Sequence, residues 1–255
     1  MACTLALAMF LFASRRAPQP MQSSFTDMVD LTHSLSERGP NWEGSERSPF
    51  EARQLGDLQR DGYFSRVITL PEHFGTHIDA PAHFAAGGWT VDQIPPQRLI
   101  GPLALLDVRT KCSANADYQI TFSDIADWER AHGQIPPGAI VLANTGWAVR
   151  WNSMQAYRNA DARGAKHYPG YAPDAVKFLV EARGIYGIGI DTMGVDYGPS
   201  EDHPNHQYTG AHNIYHLENI ANLDKVPASG AILLAAPAKL EGGSGGPARI
   251  FALLR

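Results

Sequence analysis

The sequence predicts a single α/β or α+β domain around a partly buried sheet, and three observations predict it. Six runs of five or six residues, rich in Val, Ile, Leu and Ala, read as strands. Two longer segments carry helix start and stop signals. No repeat, long charge run or low-complexity linker divides the 255 residues, a length within the range of one large domain with a full core. The 44% hydrophobic and 18% charged content is that of an ordinary globular protein.

Residues 2–13 are apolar and are followed by Arg15 and Arg16. A bilayer span needs about 20 apolar residues, and a signal peptide carries its positive charge before the apolar run. The expectation is a cytoplasmic protein with no membrane partner, with export by the apolar N-terminus as the alternative. Residues 1–27 are read as an N-terminal extension, with Met21 as an alternative start, and residues 28–255 as the domain.

Residues 41–62 read as a long surface loop, a kind of segment that often carries function. Trp42, Phe50 and Phe64, with Tyr63, are candidates to line an aromatic substrate pocket; packing beneath the loop is the alternative. The first strand, 66–70, stops at Pro71, and the second is 103–108. Thr121 and Asp124 resemble a capping box, followed by Ile125, Trp128 and Ala131 and a stop at Gly133. After strand 139–143, Pro173 suits a first helical position. Val176, Phe178, Leu179 and Val180 give that helix its apolar residues, and Gly184 ends it. Strands 185–190, 231–235 and 249–254 complete the set, in an order that the pattern leaves open.

Lys and Arg number 21 against 26 Asp and Glu, a formal net charge of −5, and no basic stripe appears. Nucleic acid is therefore excluded as the expected partner. Two cysteines, Cys3 and Cys112, supply neither a disulfide framework nor a cysteine-based zinc site.

The chemistry concentrates in His73-Phe74-Gly75-Thr76-His77-Ile78-Asp79-Ala80-Pro81-Ala82-His83, which holds three of the ten histidines. Imidazole nitrogen and carboxylate oxygen form a ligand set for zinc or manganese that keeps a position open for water. Pro71, Gly75 and Pro81 argue against a helix here. In an extended segment residues two apart share a face, so His77 and Asp79 project together and a turn at Gly75 folds His73 back beside them. His83, beyond Pro81, suits a general acid/base next to the metal better than a ligand. A further ligand or a histidine satisfied in the core is the alternative. A closed structural metal site would draw on cysteine or four tightly spaced ligands, and this window has neither.

A second window places His203, His206, His212 and His216 before Glu218. Helical spacing alone pairs His212 with His216, but Gly210 and Asn213 weaken that helix, and the approach through Pro199, Pro204 and Asn205 reads as loop. One or two of these histidines, with Glu218, complete or double the metal site; the spacing does not decide which.

The run HFGTHIDAPAHF resembles the HxGTHxDxPxH signature of the cyclase-like metal-dependent hydrolases, the superfamily of bacterial kynurenine formamidase and isatin hydrolase. Pro40-Asn41-Trp42-Glu43-Gly44 is similar to its N-terminal aromatic loop, and Asp191-Thr192 with Asp196 to its central strand-end segment. Glu218-Asn219-Ile220 resembles its glutamate motif, and residues 243–249 its glycine-rich C-terminal hairpin. The resemblance implies a swivelling β/β/α domain with a central mixed sheet. It implies His73, His77 and Asp79 as metal ligands and His83 as the acid/base. In two-metal members Asp79 bridges to a second ion held by residues matching His206 and Glu218, which leaves His212 and His216 as outer-shell or pocket residues. It also implies zinc or manganese, one or two ions, and a homodimer or homotetramer. Residues 61–63 and 147–171 lengthen the chain relative to compact formamidases and alter the pocket.

The implied reaction is hydrolysis of an amide bond in a small aromatic substrate. Water made acidic by the cation attacks the carbonyl, and His83 passes the proton to the departing nitrogen. A kynurenine-formamidase-like (arylformamidase) reaction is the first reading. Opening of isatin, another lactam or a lactone is the alternative. A metal- or small-molecule-binding protein on an inactive scaffold is the non-enzymatic one. No nucleophile elbow is evident, since Ser200 in Gly198-Pro199-Ser200 lacks the strand-turn-helix context.

Overall fold

A computed structural model describes residues 25–44 and 48–255. The apolar run 2–13, Met21 and Cys3 lie outside the described residues. In chain order the strands are β1 (Asp27–Asp30), β2 (Glu51–Gly56), β3 (Ser65–Thr69), β4 (His77–Asp79), β5 (Ile100–Asp107) and β6 (Gln119–Ile120). Then follow β7 (Ile140–Asn144), β8 (Gly170–Tyr171), β9 (Gly187–Ile190), β10 (Tyr215–Glu218), β11 (Ile232–Pro237) and β12 (Gly245–Leu254). The α-helices are α1 (Leu58–Asp61), α2 (Arg109–Ala114), α3 (Phe122–His132), α4 (Met154–Arg158), α5 (Pro173–Arg183) and α6 (Pro204–Ala211).

The main sheet runs β1-β12-β11-β5-β7-β9-β10-β4, and a further β12–β4 pairing closes it. Seven strands thus form a ring, with β1 added on the outer side of β12. The succession β5-β7-β9-β10 is parallel, and the remaining pairings are antiparallel, so the sheet is mixed. Closure removes the open edges that a flat sheet would expose.

The central strands read as unbroken apolar runs because both of their faces are buried. On β5, Leu103 and Leu105 join one core cluster while Ala104 and Leu106 join the other. Ile140 and Leu142 on β7 alternate with Val141 and Ala143 in the same way. The first cluster draws on Ile78, Leu217, Leu233 and Ile250 from around the ring, and fills it. The second is covered by α3 and α5 through Ile125, Trp128, Val176 and Leu179. Each fully buried aliphatic side chain contributes about 1.5–3 kcal/mol, so the two clusters hold the strands in register.

Both signalled helices form. Thr121 and Asp124 make the reciprocal capping box of α3, and Pro173 opens α5, which ends at Gly184 in the left-handed region. Two expectations need correction. Residues 41–62 are not one loop: β2 pairs with β3 as a separate hairpin that also carries α1, so strand 66–70 belongs to this arm and not to the main sheet. Its short-range hydrogen bonds stabilise it without the alternating buried face that betrays a core strand. Residues 204–211 are helical as well. Pro204 is at its first turn, where no amide hydrogen is required, and Asp196 accepts from the Asn205 and His206 amides in place of a capping side chain. Among the described residues no helix is long and apolar enough to cross a membrane.

Candidate metal centre

The site forms where the two histidine windows meet on neighbouring strands. β4 lies between β10 and β12, with His216 opposite Asp79 and Glu218 opposite His77. Ile78 and Leu217 point into the ring core, so period-two alternation sends the flanking His77, Asp79, His216 and Glu218 to the other face. The segment before β4 turns at Gly75, whose φ of +69° favours glycine, and this turn returns His73 to the site. Gly245, opposite Asp79, permits that approach: a Cβ there would lie 2.6 Å from His73 Cε1. α6 delivers His206 from the far side.

Asp79 joins the two windows. Its Oδ1 lies 2.6 Å from His73 Nδ1 and 3.0 Å from His77 Nε2, and its Oδ2 lies 3.4 Å from His206 Nε2. Glu218 repeats the pattern, with Oε1 3.3 Å from His206 Nε2 and Oε2 3.7 Å from His77 Nε2. Val195 N–H donates to Glu218 Oε1 and fixes that carboxylate.

The outer nitrogen of each imidazole already has an acceptor. His77 Nδ1 donates to Gly75 O at 2.9 Å, and His206 Nδ1 to Asp196 Oδ2 at 2.7 Å. His73 Nε2 lies 2.8 Å from Ser244 Oγ, whose own proton goes to Glu72, so His73 is assigned as the donor. The inner nitrogens therefore turn lone pairs toward carboxylate oxygens, an arrangement that requires a cation or extra protons between them. Among the described residues lining the cavity none is Lys or Arg. Metal-binding histidines commonly donate their other N–H to an acceptor in this way, and the donor set fits a divalent ion such as zinc or manganese. The protonation equilibria show the same deficit of positive charge. Burial disfavours a charged His77, yet the Asp79 hydrogen bond and the Asp79 and Glu218 charges raise its pKa to about 9. Burial pushes Asp79 up, but His206, His216, His73 and His77 hold it well below the usual carboxylate range.

His83, at the end of a single 3₁₀ turn, stacks on His73 at 3.9 Å and faces the cavity. Desolvation outweighs the pull of Asp79 and, with His73 nearby, holds His83 below the ordinary histidine pKa. It is thus neutral at neutral pH, able to take a proton. Its donor atom also lies within 4.8 Å of those of His73 and Asp79.

A cavity of about 400 Å³ opens above the cluster, walled by Trp42, Phe74, Phe84, Tyr168, Met193 and His203. Of the residues expected to bind substrate, Trp42 lines it. Phe50 is buried against Phe74 at 6.2 Å, one layer behind the wall. Phe64 is 62% exposed on the β2–β3 arm. His212 ends α6 on the surface, with Nδ1 on Tyr208 O. Neither is brought to the cavity, because helical spacing does not extend past α6 into β10 and the hairpin turns Phe64 outward. Sequence reasoning did not single out Phe84; it left His203 and His216 as undecided members of the second window, and the resemblance alone placed His216 among the outer or pocket residues. The signal available for His216 was its spacing of two from Glu218, the same as that of His77 from Asp79.

The Cyclase family model matches residues 29–197. An isatin hydrolase from Roseibium aggregatum is 38% identical over 215 residues, 80% of this chain and 81% of that protein. A kynurenine formamidase from Paracidovorax citrulli is 28% identical over 191 residues, 72% of this chain and 76% of that one. The solved structure of isatin hydrolase A from Ralstonia solanacearum aligns with a TM-score of 0.83 at 34% identity, covering 90% of this chain and 92% of that chain. The chain belongs to the Cyclase family and is a hydrolase of that family.

Proposed function

We propose that this hydrolase cleaves the amide bond of a small aromatic substrate, with a cyclic amide of the isatin type ahead of an N-formyl arylamine. The observation that carries the reading is the cluster of imidazole lone pairs on Asp79 and Glu218 at the floor of an aromatic-walled cavity of about 400 Å³. That volume suits a ligand of one or two rings. The preference for a cyclic amide is supported by 38% identity to an isatin hydrolase against 28% to a kynurenine formamidase.

His73, His77, Asp79, His206 and Glu218 would hold one or two ions of zinc or manganese. A bound divalent cation supplies Lewis acidity, which polarises a carbonyl and lowers the pKa of water toward neutrality. Neutral His83 takes the proton of the attacking water and delivers it to the departing nitrogen. Trp42 and Phe84 hold the aromatic ring against the cavity wall and exclude water. Ser244, Gly75 O and Asp196 keep the three imidazoles oriented.

The reading includes a cytoplasmic homodimer or homotetramer. Support for assembly comes from the outward apolar side chains Leu55, Leu58, Phe64 and Ile68 on the hairpin arm. Light scattering on the purified protein checks the oligomeric state. The decisive experiment assays isatin, N-formylkynurenine and an aryl lactone before and after chelation. Isatin turnover lost to a chelator and restored by zinc or manganese is expected. Turnover untouched by thorough chelation overturns the metal role, and turnover of N-formylkynurenine alone overturns the substrate.

A further inference from the structure

We propose that His216 Nδ1 is a metal-binding atom, so that the deep half of the centre offers one divalent ion four protein donors: Asp79 Oδ2, His206 Nε2, His216 Nδ1 and Glu218 Oε1. This rests on the metal-centre reading above and assigns the ion a ligand that the resemblance left among the outer residues.

The first argument is register. His216 stands directly opposite Asp79 on the antiparallel β4–β10 pair, and it shares a face with Glu218 two residues on. Two adjacent strands thus present His-x-Asp and His-x-Glu side by side. The donor atoms of Asp79, His206, His216 and Glu218 all lie within 4.8 Å of one another, and all four residues are buried. The His216 and His206 rings meet edge to face at 4.6 Å.

The second argument is the tautomer. His216 Nε2 lies 2.5 Å from Thr209 Oγ1. The single hydroxyl proton of Thr209 is used on Asn205 O at 2.6 Å, inside α6. Thr209 therefore accepts from His216 Nε2–H, and Nδ1 is left with its lone pair. That nitrogen is buried, has no hydrogen-bond partner and faces Asp79 Oδ2 at 3.8 Å. A histidine that merely filled the core would turn Nδ1 to a donor, because a buried acceptor without a partner is destabilising. Here, as in His73, His77 and His206, the outer nitrogen is anchored and the inner one turns toward the carboxylates, but the His216 nitrogen alone of the four has no hydrogen-bond partner.

The consequence is an asymmetric centre. The deep half would offer an ion four protein donors, the number by which structural sites hold theirs. The half nearer His73 and His83 is the less buried of the two and keeps room for water or substrate.

The test titrates chelator-treated protein with cobalt(II), whose visible absorption reports its coordination. The intact protein is expected to hold one equivalent more tightly than any other. His216→Leu should weaken that equivalent by more than about tenfold and alter its spectrum, as even outer-shell partners of a ligand are worth about 10–100-fold. Thr209→Val keeps His216 but frees its tautomer, and should weaken the same equivalent by about tenfold. Unchanged affinity and spectrum in His216→Leu overturns the proposal while leaving the centre intact. If His216→Leu does not fold, an unchanged Thr209→Val overturns it equally. Intact protein that takes up no cobalt overturns the metal-centre reading and this proposal together.

Discussion

The two histidine windows reach one centre by different routes. His73, His77 and Asp79 come from one strand and the turn before it, within seven residues. His206, His216 and Glu218 come from a helix and a strand that are separated in the chain and joined only in space. The first set is held by local backbone geometry: the Gly75 turn, the alternation of β4 and the Gly75 carbonyl that orients His77. The second depends on distant anchors, with Asp196 gripping both the α6 amides and His206. A site built on one strand survives as long as that strand forms. One assembled from two elements also needs their docking, so the second half of the centre is the more easily disturbed.

The most damaging change to this comparison is Asp79→Asn, because Asp79 faces three imidazoles, His73 and His77 of one half and His206 of the other, through its two oxygens. Metal content and activity should both fall by more than about 100-fold, read by elemental analysis and turnover. Metal retained by one half alone would separate the halves. Next, His83→Ala should lower kcat by about 10²–10⁴-fold with metal retained. Loss of metal would instead make His83 a ligand of the first half. Asp196→Asn should weaken metal binding about 10–100-fold through His206 alone. The His73 half should keep its affinity, which separates a distant anchor from a local one in a cobalt titration. Smallest of all, His212→Ala should leave kcat/KM unchanged within about twofold. That corresponds to less than about 0.5 kcal/mol, the usual limit for surface substitutions.

Legibility followed the range of the forces involved. The capping box at Thr121, the helix opened by Pro173 and the core strands of β5 and β7 could be read because capping and burial leave patterns a few residues long. Strand β2 was hidden in what reads as a loop, since most of its side chains face solvent and leave no alternating apolar signal; β3 reads as a strand, but its pairing with β2 outside the main sheet does not show in the sequence. Helix α6 was hidden for another reason. Its Pro and Gly residues argue against a helix, and the capping carboxylate of Asp196 comes from outside the segment. The same carboxylate then explains why His206 reaches the centre while His212, six residues later, ends on the surface.

What the sequence determined by itself was the chemistry of the first window. The turn at Gly75, the common direction of His77 and Asp79, and an imidazole–carboxylate ligand set all follow from residues that are neighbours in the chain. Only the tertiary structure decided which second-window residues join them. Strand pairing set His216 opposite Asp79 and Glu218 opposite His77, and α6 packing turned His206 inward and His212 outward. Alternation along a strand is built into the backbone, whereas the pairing of strands far apart in sequence is chosen by the burial of Ile78, Leu217 and the rest of the ring core.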